Sequence, residues 1–215
     1  MGDNRHIYGF RWSRSWNANA VPPVIEVPVA SGLAFTLNGG SACDLNVGDP
    51  ITMLSTGYAT MSAGTENSPL NTMGIIIGIG NHGKVYDGTT MAPNNKVPNG
   101  GGVYGTNYEN QTKLLISPID SGYWECDCDD KTSYTTYATY FAIVNYNVDH
   151  VLTAGSEPKA DPMLDISTAA TTNTLKWCIM GLSDTFENKD FAGKYVKLLV
   201  RSNIGQQPWS STTGI

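Results

Sequence analysis

Between Leu45 and Ile79 the chain reads LNVGDPITMLSTGYATMSAGTENSPLNTMGIIIGI, three short apolar runs separated by turn-forming residues. Gly48-Asp49-Pro50 sets the first turn, because proline fixes φ and an aspartate side chain bonds the backbone two residues on. Ile51 to Leu54 is then a brief extended run, and Ser55-Thr56-Gly57 a second turn in which Gly57 is free to take positive φ. Tyr58 to Ser62 returns as its partner. After a polar connector from Ala63 to Thr72, Met73 to Ile79 is dense in β-branched residues and reads as a strand buried on both faces. The stretch predicts a three-strand meander with no room for a helix.

The rest of the chain carries weaker versions of the same signal. Val21 to Leu37 alternates around Pro22, Pro23 and Pro28, which suits an edge strand or an extended crossing segment. Lys113 to Ile116, Tyr123 to Cys128 and Tyr195 to Arg201 are the clearest later strands. In the last of these Val196, Leu198 and Val200 share one face, while Tyr195, Lys197 and Arg201 share the other. Tyr137, Tyr140, Phe141 and Val144 keep helical spacing and predict one short helix. Gly80 to Tyr108, with Gly83, Gly88, Pro93, Pro98 and Gly100-Gly101-Gly102, reads as a long glycine-rich loop and a candidate contact surface.

Composition sharpens this picture. The chain has 215 residues, is 40% hydrophobic and only 15% charged, and contains 23 glycines. That balance suits turns and strands and starves long helices. The expected fold is all-β, mainly antiparallel, with a β-barrel or β-sandwich-like core, an N-terminal arm at 1–20 and a single β-rich domain at 21–215. A net charge of −6 gives the bulk of the molecule no field that draws nucleic acid. No leader and no apolar run long enough to cross a bilayer is present, so no membrane association is expected. Cys43, Cys126, Cys128 and Cys178 are irregularly spaced in a chain too large to need staples, and free thiols are expected.

Residues 1 to 20 stand apart. Arg5, Arg11 and Arg14 face only Asp3, with Tyr8, Phe10, Trp12 and Trp16 interleaved. Exposed aromatics favour finding a partner, so this basic-aromatic arm is the candidate protein-binding segment.

Other motifs yield to plainer readings. Gly78-Ile79-Gly80-Asn81-His82-Gly83 matches G-x-G-x-x-G, but a dinucleotide site needs a helix next, and Lys84 to Pro98 offers none. Cys126 and Cys128 with His150 downstream suggest a zinc site, yet the second cysteine pair it needs is missing. The stronger reading makes Trp124, Cys126 and Cys128 the buried face of a strand, with Glu125 and Asp127 in water. Asp127, Asp129 and Asp130 read as a solvated turn rather than a calcium loop. His6, His82 and His150 have no nucleophile nearby and are expected at the surface. No catalytic residue, cofactor or metal is expected, and the protein is not expected to be an enzyme.

The opening segment resembles the head decoration (cement) proteins of tailed bacteriophages. The residues that carry this are Val47-Gly48-Asp49-Pro50-Ile51, Thr56-Gly57-Tyr58 and Met73-Gly74-Ile75-Ile76-Ile77-Gly78-Ile79. A second block agrees: Leu152-Thr153-Ala154-Gly155-Ser156, Met163-Leu164-Asp165, Ser167 to Thr172, Leu175 to Leu182, and the Lys194 to Arg201 strand. The resemblance is weak across Gly80 to Tyr108 and absent in the arm. It implies a module on the outside of an icosahedral head, made in the host cytoplasm, bound to the major capsid protein and often trimeric, with no catalytic residues. The arm is then the expected anchor, with Arg5, Arg11 and Arg14 pairing with capsid carboxylates and Trp12 and Trp16 filling pockets. The competing expectation is a carbohydrate-binding or host-adhesion module that uses tyrosine and tryptophan faces.

Overall fold

The computed structural model describes residues 9–15, 21–29, 43–62, 72–80, 96–97, 113–130, 132–154, 160–184 and 195–203. These form two antiparallel sheets packed together. The six-stranded sheet has the order β1 (Arg11–Ser15), β9 (Gly122–Asp127), β13 (Lys197–Ser202), β12 (Trp177–Leu182), β10 (Asn147–Ala154), β11 (Ala160–Ala170). The five-stranded sheet runs β2 (Ile25–Pro28), β8 (Lys113–Pro118), β6 (Gly74–Gly80), β4 (Pro50–Met53), β5 (Ala59–Met61). A two-stranded ribbon pairs β3 (Leu45–Asn46) with β7 (Lys96–Val97). The architecture is the expected all-β, sandwich-like one.

Neither sheet closes into a barrel, but both curl. In the five-stranded sheet Val29, just past β2, bridges Ala59 on the far strand. In the six-stranded sheet Cys128, just past β9, bridges Leu164 of β11. The Asp129 amide donates to the Leu164 carbonyl at 2.9 Å, and the Asp129 carboxylate accepts from the Ile166 amide at 3.0 Å. Each curl wraps its own apolar core. Trp124, Trp177, Leu198, Val200 and Leu164 fill one, and Ile51, Ile76, Leu114, Ile116 and Met61 the other.

Met73 to Ile79 behaves as its composition dictates. β6 is the middle strand of its sheet, and adjacent residues serve opposite cores: Ile75 enters the first and Ile76 the second. At its edges β6 pairs with β8 and with β4, and this pairing corrects the expected meander. β4, not β5, lies centrally in the trio, pairing with both β5 and β6. Gly57 takes φ 82° at the β4–β5 turn, as that turn requires.

The chain crosses between sheets through a continuous ribbon. β8 passes through a single 3-10 turn (Ile119–Ser121) directly into β9, and Trp124 Nε1 holds the corner by donating to the Ile119 carbonyl at 3.0 Å. The N-terminal segment tracks this ribbon antiparallel, Ser15 opposite Gly122 and Ile25 opposite Ile116. Residues 9–15 are therefore not an arm beside the domain. They belong to its six-stranded sheet, and Phe10 is 3% exposed in the first core.

Three further expectations change. Asp127, expected in water, is buried because it lies directly opposite Lys197, whose Nζ sits 3.4 Å from Asp127 Oδ1. His150, expected at the surface, is fully buried: it shares the inward face of β10 with Val148 and Leu152. Within the expected loop, Gly80 ends β6 and Lys96–Val97 pair with β3, putting Val97 in the second core. Residues 81–95 and 98–112 lie outside the described residues.

The expected helix is α1 (Tyr137–Phe141), which stops short of Val144. Thr136 and Thr139 form its capping box, each side chain bonding the other's backbone amide at 3.3 Å. Tyr140 and Ile143 enter the first core, and Tyr137 and Phe141 face out.

Candidate interaction surface

β1 owes its usefulness to a bulge. Arg11 lies opposite Glu125 and Trp12 opposite Trp124, but the next pair is Arg14 with Tyr123, leaving Ser13 as the extra residue. Strict alternation would send Arg14 inward with Trp12. The extra residue instead returns Arg14 to the outer face beside Arg11, and both arginines are exposed. Just beyond, β1 approaches β9 closely: a Cβ on Gly122 would lie 2.2 Å from the Arg14 carbonyl oxygen.

The outer face is polar and interlocked. Glu125 accepts from Arg11 Nε at 3.1 Å and also from Arg11 Nη2, from Ser13 Oγ at 3.3 Å, and from Ser183 Oγ at 2.7 Å. The Arg14 guanidinium lies 5.1 Å from the Tyr123 ring centroid, a cation–π distance. Across β9, Arg201 is opposite Tyr123 and Lys197 opposite Asp127. Among the described residues this face carries Arg11, Arg14, Arg201 and Lys197 with Glu125 and Asp127; Lys197 and Asp127 are buried as a pair, Arg201 is half-buried, and Arg11 and Arg14 are the exposed cations. Two exposed arginines side by side stand out in a chain of net charge −6.

The expected anchor residues separate. Arg11 and Arg14 stand on this surface. Trp12 faces inward and packs against the first core, with its Nε1 buried and lacking a hydrogen-bond partner among the described residues. Phe10 is a core residue, stacked on Trp177 with centroids 4.4 Å apart and edge-on to His150 at 5.8 Å. It is unavailable to a partner, because the fold already uses its ring. Arg5, Tyr8 and Trp16 lie outside the described residues. Lys197 and Arg201 were visible as one face of a strand, but nothing in the sequence says that this face lies beside β1.

The sites weighed for metal chemistry have other occupations. Asp127 pairs with Lys197, and Asp129 binds the Ile166 amide. Asp130 Oδ1 accepts from the Thr132 amide, Thr132 Oγ1 and the Ser133 amide, which pull its pKa down to about 2. Three carboxylates with three separate partners do not form one cage, and among the described residues no three His, Cys, Asp or Glu gather around a common point. All four cysteines are buried free thiols. Burial pushes Cys126 well up and Cys128 up, and it lifts Cys43 to about 11, so these thiols stay protonated and poorly nucleophilic at neutral pH. Gly78 and Gly80 lie within or at the end of β6, while the helix test for the remaining motif falls on residues outside those described.

A second exposed feature is apolar. Val21 is 83% exposed, Val24 54% and Ile25 38%, and on α1 Tyr137 and Phe141 are 60% and 61% exposed. The two rings stack on each other, centroids 5.9 Å apart and planes 19° apart.

Comparison with known proteins gives no family model, no curated protein and no solved structure that matches the chain.

Proposed function

We propose that the chain is a structural virion protein that binds the outside of a tailed-phage capsid and stabilises the head. The observation that carries this reading is the pair of exposed arginines, Arg11 and Arg14, which the β1 bulge sets side by side on the outer face of a paired strand and whose sign is opposite to the molecule's net charge. A cement protein works by adding buried contact between neighbouring shell subunits, and many symmetry-related copies multiply modest contacts. Fixed guanidinium groups suit that task, since they bind carboxylates bidentately and lose little freedom on docking.

The segments behind the resemblance are consistent with it. The first block supplies β4 and β6, which are hydrogen-bonded neighbours, and the second supplies β10, β11, β12 and β13 of the other sheet. Each block therefore falls within one sheet, two of five strands in one and four of six in the other.

Removing residues 1 to 20 is the wrong test, because it takes β1 from its sheet and Phe10 from the core. The test is co-sedimentation of the folded R11A/R14A variant with decoration-free heads of the phage that encodes the chain. Two lost charge-assisted contacts, at about 1.5–3 kcal/mol each, predict binding weaker by at least about a hundred-fold. Unchanged binding, or wild-type protein that does not bind heads, sinks the proposal.

A further inference from the structure

Lys197 and Asp127 meet where charge is costly to keep. They lie directly opposite each other on β13 and β9, two interior strands of the six-stranded sheet. Lys197 Nζ is 3.4 Å from Asp127 Oδ1, and the two side chains are only 10% and 3% exposed. The ladder itself presses them together. The Cys128 amide donates to the Val196 carbonyl, whereas the Lys197 carbonyl turns the other way and accepts from the Ser183 amide. Asp127 and Lys197 are therefore a non-hydrogen-bonded pair, the kind whose Cα atoms come closest, at about 4.5 Å. A second pair supplies a contrast. Lys113 Nζ lies 3.6 Å from Glu26 Oε2, but the Glu26 side chain is 47% exposed, so water competes for that contact.

Two opposite charges taken out of water lose hydration that their attraction repays only in part. Condensation removes both charges at once, because an ammonium and a carboxylate become one neutral amide. Free in water the two groups do not condense, since both ions are well hydrated and water is in excess. Held in place by a fold, well-oriented groups meet at an effective concentration of about 10⁵–10⁸ M, and a closed site excludes the water that would reverse the step.

We infer that the folded chain forms an isopeptide bond between Lys197 Nζ and Asp127 Cγ. The ammonium passes one proton to the Asp127 carboxylate, leaving an amine and a carboxylic acid, both neutral. The amine lone pair attacks Cγ, the bond from Cγ to the hydroxyl breaks, and the hydroxyl departs with a second nitrogen proton as water. The third proton stays on the amide nitrogen. No oxidant, reductant or cofactor enters, and net charge is unchanged. The bond spans a sequence separation of 70 residues and staples β9 to β13. This inference goes beyond the capsid reading and does not require it.

Mass spectrometry of the intact, purified chain tests it. Folded wild-type protein is expected to be lighter than its sequence by one water, and a protease digest should contain a branched peptide joining the Asp127 and Lys197 segments. The same chain recovered in urea and never folded should keep its full mass. Lys197→Arg keeps the ion pair but removes the amine. It should keep its full mass and run more slowly than wild type on a denaturing gel, where a closed loop makes the chain compact. The comparison of folded and never-folded wild type decides the matter even if that variant does not fold. Folded wild type of full mass after prolonged incubation overturns the inference. So does a lost water that persists in Lys197→Arg, as an aspartyl succinimide would give, or a branch joining Lys113 to Glu26 instead. Binding to heads, measured separately by co-sedimentation, can fail without affecting any of these outcomes.

Discussion

At the scale of single residues, His150 shows how far pairing can override a polar side chain. Its Nδ1 accepts from Trp177 Nε1 at 3.2 Å, which leaves the proton on Nε2, facing the Ser62 carbonyl at 3.3 Å. The ring thereby links β10 to the end of β5, one sheet to the other. A proton on Nδ1 would oppose the indole donor and place a cation near Lys176. Burial first and Lys176 second lower the His150 pKa from 6.5 to about 3, and the groups around it are Phe10, Trp177, Ser62 and Lys176, itself near Asp149. An unfolded histidine binds its proton near pH 6.5 and the folded one does not, so this contribution is intact above 6.5 and is lost as pH falls toward 3. The slope is up to about 1.4 kcal/mol per pH unit. The urea midpoint of the wild type should therefore fall between pH 6.5 and 5, and that of His150→Gln, although lower throughout, should fall less steeply. Equal slopes in that window would show that His150 does not carry the dependence. Val148 and Leu152, two residues to either side and alternating with polar Asn147, Asp149 and Thr153, were the available clue that this position faces inward, but a polar His150 on the inward set and an apolar Val151 on the outward one interrupt the alternation.

Elements were legible where the side chains alone decide them. β4, β5, β6, β8, β9 and β13 follow from apolar runs and turn residues, with ends displaced by a residue or two, and α1 from its spacing, ending three residues early. β10, β11 and β12 were not read as strands. β11 holds Asp161, Pro162, Asp165, Ser167 and Thr168, and is a strand because β10 pairs with it from Asn147 to Ala154, a long-range fact absent from local composition. β1 was misread for a similar reason. Its arginines and aromatics look like a docking tail until the Ser13 bulge is known, and the bulge exists only in register with β9. Gly122 makes that register possible by admitting the Arg14 carbonyl. Gly122→Ala should cost about 1–3 kcal/mol through overpacking. Hydrogen exchange should show the β1 amides losing protection before those of β12 and β13. An unchanged melting temperature together with a protected β1 would mean that the close approach is not needed.

The whole molecule poses a question of cooperativity, because two curled sheets with separate cores can unfold together or in turn. Several features couple them: β6 places Ile75 in one core and Ile76 in the other, Leu152 of β10 packs in the core of the opposite sheet, and β8 runs into β9 through one turn. β1 and β2 add a strand to each side of that crossing, so separating the sheets strips pairing from both. These links favour a single transition. Trp124 and Trp177 are fully buried in the first core, so their fluorescence reports on it, whereas far-ultraviolet circular dichroism reports on both sheets. Ile116 is fully buried in the second core. Its truncation to alanine should cost about 2–5 kcal/mol. With the sheets coupled, Ile116→Ala, made in a variant that keeps Trp124 and Trp177 as the only two of the chain's five tryptophans, lowers the urea midpoint of the tryptophan signal as much as that of the dichroism, although neither of the two belongs to its core. A tryptophan midpoint that stays in place while the dichroism splits into two steps would show instead that each curl folds alone, joined to its neighbour only by the ribbon through residues 113–127.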